Sequence, residues 1–135
     1  MSVPLPKRGQ GKLEVNIKAL ELCEYTLKIT SNENKFAIGQ SSFIEKIRDS
    51  AIEIHLLCRE ANEIRVDGDL ELYNRRISLQ EQAINECIRL TSLIEISKKL
   101  FHMDSKRTVY WMDKVLEVKK LIQSWLRSDR ERLRP

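Results

Sequence analysis

The chain has 135 residues, the size of one domain with one modest core, and combines 41% hydrophobic with 33% charged residues, four Gly, three Pro and a formal net charge of +4. That balance favours long amphipathic helices over strands and tight turns, and it excludes a chain disordered throughout. No stretch approaches the roughly 20 uninterrupted apolar residues of a membrane-spanning helix, and Met1 to Lys12 lacks the apolar middle of a signal peptide, so a cytoplasmic protein is expected.

In chain order, residues 1–12 include Pro4, Pro6, Gly9 and Gly11 with Lys7, Arg8 and Lys12, which predicts a flexible basic arm. A first helix is expected from Leu13 to Ile29, where Leu13, Ile17, Leu20, Cys23 and Leu27 recur at steps of three and four and so share a face. Thr30, Ser31, Asn32 and Asn34 favour a turn, and Gly39 followed by Ser41 and Ser42 offers a capped restart. The second helix has the clearest seam: Ile44, Ile47, Ala51, Ile54, Cys58 and Ala61. Val66, Asp67, Gly68 and Asp69 then supply a short turn.

The third helix is predicted from Leu70–Tyr73 to Phe101, with Ala83, Cys87, Leu90, Ile94, Ser97 and Phe101 on one side. About 30 residues span roughly 45 Å, so its first turns are expected to overhang the bundle or pack on another subunit. Asp104 or Ser105 can cap the last helix, along which Trp111, Val115, Val118, Ile122 and Trp125 repeat the spacing. A bundle over residues 13–128 and a fraying charged tail over 129–135 follow. Four amphipathic helices with short connections predict an all-α, antiparallel up-down-up-down four-helix bundle. Leu22, Tyr25, Leu57, Leu93, Leu121 and Leu126 widen the apolar faces and hint at self-association.

The chemistry-bearing residues are few. Cys23, Cys58 and Cys87 lie far apart among apolar helical positions, which predicts buried free thiols and no metal site. No Gly-rich phosphate loop and no close His pair occurs, and no cofactor is expected. Arg48 and His55, seven residues apart on the second helix, could face one groove as phosphate holder and proton carrier. Their spacing resembles the motif of HEPN-domain ribonucleases, which implies a metal-independent ribonuclease as one alternative; in that family the motif sits after the third helix.

Charge points elsewhere. Residues 1–70 carry 10 Lys and Arg against 11 Asp and Glu, whereas residues 71–135 carry 14 against 9, so the excess of base is local. Lys98, Lys99, Lys106 and Arg107 bracket the turn between the third and fourth helices; Lys119 and Lys120 lie along the fourth, and Arg75 and Arg76 open the third. Such cations suit phosphates, although Lys98 and Lys99 also complement a helix C-terminus. Aromatic residues placed for base stacking do not stand out.

The helices around KALELCEYTLKIT, FIEKIRDSAIEIHLLCREAN, RRISLQEQAINECIRLTSLIEISKKL and LIQSWLRSD resemble, in order and character, the four-helix-bundle family of the accessory variability determinant, Avd, of diversity-generating retroelements and of ribosomal-RNA intervening-sequence proteins. The likeness spans Leu13 to Ser128. It implies a non-catalytic partner of a reverse transcriptase, assembled as a pentameric ring that binds RNA or DNA. The expectation is therefore a homo-oligomeric bundle that holds nucleic acid through Lys98, Lys99, Lys106, Arg107, Lys119 and Lys120, with Arg75, Arg76 and the arm as secondary contacts and no catalytic residue. A bundle that only bridges proteins is the remaining alternative.

Overall fold

The computed structural model describes residues 5–31 and 38–135, with side chains over 14–31 and 39–135. It contains four helices, α1 (Leu5–Thr30), α2 (Ser41–Glu63), α3 (Leu70–Leu100) and α4 (Ser105–Arg132), and a 3-10 turn, Ile38–Gln40, ahead of α2. No strand occurs among the described residues. Each helix packs on its neighbours in sequence and α1 closes on α4, so the four enclose one core as a four-helix bundle.

The periodic seams explain three of the helices directly. Ile47, Ala51, Ile54, Cys58 and Ala61 of α2, Ala83, Cys87, Leu90, Ile94 and Ser97 of α3, and Trp111, Val115, Val118, Ile122 and Trp125 of α4 are all buried, because steps of three and four keep them on one side of a 3.6-residue turn. The cap of α4 is Asp104, whose side chain accepts from the Lys106 N–H, and that of α3 is Asp69, which accepts from Leu72. At α2 the N-cap is Gln40 and makes no side-chain bond, so the serine cap expected there does not form.

α1 turns a different face inward from the one its leucines and isoleucines suggest. The buried residues are Val15, Ala19, Leu22, Cys23, Thr26, Ile29 and Thr30; of the expected face Cys23 is buried and Leu27 half-buried, Ile17 and Leu20 stay 45% and 43% exposed, and Leu13 lies outside the described side chains. The inward face succeeds despite two threonines because both are satisfied: Thr26 Oγ1 accepts from the Trp111 indole N–H at 3.0 Å, and the Thr30 hydroxyl donates to the Thr26 carbonyl at 2.7 Å. Leu22, Tyr25, Leu57, Leu93, Leu121 and Leu126 are all packed within the chain, so they call for no second subunit.

Both termini are more helical than their composition suggests. α1 begins at Leu5, eight residues before the expected start, with Pro6 in the first turn, where a missing N–H costs no intrahelical bond; residues 1–4 of the expected arm lie outside the described residues. α4 continues to Arg132 through the expected tail. Its extra turns cover the start of α3, where Tyr73, Ile77 and Leu126 join Val66 in a second apolar cluster, so α3 does not overhang.

What draws the last turns of α4 inward is a buried ion pair. Arg76 Nε donates to Asp129 Oδ2 at 2.7 Å, with side chains 4% and 0% exposed, and Gln80 Nε2 donates to the same oxygen at 2.7 Å. Arg76 Nη1 also donates to the Ile64 and Ala61 carbonyls at the end of α2, and its guanidinium lies 5.3 Å from the Trp125 ring. Three helices thus meet on one arginine. Replacing Asp129 by Ala strands that cation in the core, a loss of about 3–5 kcal/mol; urea unfolding of Asp129→Ala against the parent checks it, and a loss near zero would mean that the pair does not hold α4.

Candidate nucleic-acid interface

The connection from α3 to α4 is short and tightly held. Phe101 donates to the Ser97 carbonyl, Met103 reaches back to the Lys98 carbonyl at 3.1 Å, and His102 takes the left-handed conformation at φ 52°. This is the glycine-type ending of a helix made with a histidine. Asp104 then starts α4, its carbonyl accepting from both the N–H and the hydroxyl of Thr108. The last turn of α3 and the first turn of α4 are therefore held at one end of the bundle. Lys98, Lys99, Lys106 and Arg107, which they carry, are all exposed, and none of the four forms a salt bridge among the described residues.

The same end carries aromatic rings. Tyr110 is 54% exposed and packs edge-on against Tyr25 of α1 at 5.3 Å between centroids. Lys114 Nζ stands 5.0 Å from the Tyr110 ring and 5.5 Å from that of Tyr25. Burial pushes the Tyr25 phenol above its ordinary pKa, and the nearby Arg107 cation works against that rise. Trp111 beneath them is fully buried and bonded to Thr26, which fixes the helix under Tyr110. Sequence patterning overlooked this group. For Tyr110 and Lys114 the signal was present, since a seam at Trp111 turns Tyr110 about a quarter-turn outward and sets Lys114 one turn further on the same side.

The remaining expected contacts do not join this cluster. Lys119 and Lys120 lie some 20 Å along α4 from Lys106 and Arg107, at 1.5 Å per residue, beside a shallow depression of about 480 Å³ whose walls also include Asp113 and Glu117. Arg75, at the start of α3, faces Arg59, Glu60 and Glu63 of α2 across another open depression. Arg76 is removed from the set of nucleic-acid contacts: it is 3% exposed and its charge is committed to Asp129.

Arg48 has structural work of its own. Its Nη1 donates to the Thr30 hydroxyl at 2.8 Å, the Leu27 carbonyl at 3.1 Å and the Ser31 hydroxyl at 3.3 Å, and so caps the end of α1. His55 is half-buried, and its Nδ1 has no hydrogen-bond partner among the described residues. Burial, reinforced by Arg59, lowers its pKa below the ordinary 6.5. All three cysteines are buried, and burial pushes the Cys58 and Cys87 thiols up to about 12, far from the reactive thiolate. Among the described residues no group of three His, Cys, Asp or Glu converges as a metal site, and no helix is long and apolar enough to cross a membrane. Comparison of the chain with protein-family models, with curated proteins and with solved structures returned no match.

Two outcomes are expected from this geometry. His102→Gly relieves a left-handed conformation that costs a non-glycine residue about 1 kcal/mol, so chemical denaturation should find the variant more stable by about that amount. His55 binds a proton more readily unfolded than folded, so its contribution to stability is full above pH 6.5 and is lost as the pH falls through 6.5 towards its lower folded value. His55→Gln should flatten the fall in stability between about pH 7 and pH 5; an unchanged slope would show that the residue titrates normally.

Proposed function

We propose that this protein is a non-catalytic accessory factor that binds RNA or DNA by charge at the end of the bundle formed by the α3–α4 turn. The placement of Lys106 and Arg107 carries the reading. Cations in the last turn of a helix are favoured by its dipole, which accounts for Lys98 and Lys99. Cations in the first turn are opposed by it, at roughly 0.3–1 kcal/mol each, and α4 meets the two of them with a single acid, the Asp104 cap, and none within the turn itself. A polyanion reconciles all four, because phosphates are attracted both by the side chains and by the amino end of α4.

The wider setting follows the resemblance to the Avd family: an antiparallel up-down-up-down bundle that self-associates, in the limit as a pentameric ring, and serves a reverse transcriptase in the cytoplasm. Opposed helix directions are supported by pairs such as Lys18 with Glu117 against Thr26 with Trp111, and Glu81 with Arg130. Self-association is supported by Ile17 and Leu20, which leave an apolar strip on the outer side of α1.

The decisive experiment pairs binding with stability. In Lys106→Glu/Arg107→Glu, affinity for a labelled oligonucleotide at about 50 mM salt should fall at least tenfold, and the slope of log Kd against log salt should shrink by roughly two. The same variant should unfold no more easily than the parent, since the new charges suit the amino end of α4. Unchanged affinity would sink the reading, and a probe cut during the titration would point instead to a nuclease.

A further inference from the structure

The cations of the α3–α4 end explain an attraction to phosphate but not the aromatic group beside them. Tyr110 exposes more than half of its surface although Thr108 and Trp111, on either side of it and Val109, are buried. It does not float. Tyr25 braces its ring edge-on, Lys114 stands against the ring, and the Trp111–Thr26 bond holds the underlying helix in place. An exposed aromatic ring in a fixed pose, with Lys114, Arg107 and Lys106 within a turn of it, is the arrangement that single-strand binders use: cations follow the backbone and the ring takes a base. The acids nearby are Asp104, which is spent on the cap of α4, Asp113, one turn beyond Tyr110, and Glu21 and Glu117, which line a small depression with Lys114 and both pair with Lys18.

Resting on the proposed nucleic-acid reading, we infer that this end of the bundle selects single strands, with an unpaired base stacked on Tyr110 while Arg107 and Lys114 hold the adjoining phosphates. In a duplex the faces of the bases are stacked on one another and present only phosphates and groove edges, so Tyr110 has nothing to receive. The cations would still bind a duplex. Selectivity therefore resides in the ring and affinity in the charges, and the two are separable.

The test uses the full chain, fluorescently labelled oligothymidylate, a duplex of the same length, and a strand of the same length with abasic sites in place of bases. The parent should favour the thymidylate strand over both the duplex and the abasic strand. Tyr110→Ala should weaken the thymidylate complex roughly tenfold and leave the other two unchanged, while Tyr110→Phe, which keeps the ring, should bind as the parent does. Circular dichroism and thermal melting establish that each variant is folded. Equal binding of strand and duplex by the parent, or an equal loss on all three probes in Tyr110→Ala, would overturn base stacking and leave charge-based binding standing. Absence of binding to every probe at low salt would overturn the proposed function and this inference with it.

Discussion

The contact between Arg76 and Asp129 governs the shape of this molecule, because an ionised guanidinium inside a helical bundle is tolerated only where a carboxylate meets it. Asp129 lies in a segment of α4 that is otherwise strongly charged, with Arg127, Arg130, Glu131 and Arg132 around it. Without an inward partner that segment has little reason to leave water. With one, α4 runs on past the main core, Leu126 covers Tyr73 and Ile77, and Arg130 reaches Glu81 on α3. The carbonyls of Ala61 and Ile64 add the end of α2 to the same arginine, so the closing of one end of the bundle follows from a single charge.

The opposite end is closed in another manner and is left free for other work. Its backbone is fixed locally, by the reach of Met103 to Lys98 and by the Asp104 cap, and Arg48 secures the end of α1 through three oxygen acceptors. Cations that serve folding are accounted for in this way: Arg48 at a helix end, Arg76 in the core, Lys98 and Lys99 against a dipole. Lys106 and Arg107 are not, and they sit where helix electrostatics disfavours them. Residues placed against the interest of the fold are the natural place to look for an external partner.

Much of the architecture was legible in the chain. The seams of α2, α3 and α4 could be read because their inward positions hold apolar residues almost without interruption, from Ile47 to Ala61, Ala83 to Ser97 and Trp111 to Trp125. α1 misled because its inward face carries Ala19 and Thr26 while Ile17 and Leu20 point out; hydrophobicity ranks the second pair higher, and only the indole of Trp111, 85 residues away, makes Thr26 acceptable inside. The end of α4 misled for a related reason. A run of charges reads as solvated until the partner of one of them is known, and Arg76, read beside Arg75 as a contact for phosphate, is claimed by that partner instead. The basic residues of the α3–α4 turn were visible singly, whereas the bracing of Tyr110 by Tyr25 depends on α1 meeting α4 and has no local signal.

The separation between Arg76 and Asp129, 53 residues along the chain, also imposes an order on synthesis. When α3 leaves the ribosome its guanidinium has no counter-ion, and the indole that will satisfy Thr26 has not yet been made. α1, α2 and α3 emerging together therefore carry an unmatched charge and an unmatched hydroxyl at the sites where they would close. Both partners arrive only with α4, the element that also completes the wall of the core between α1 and α3.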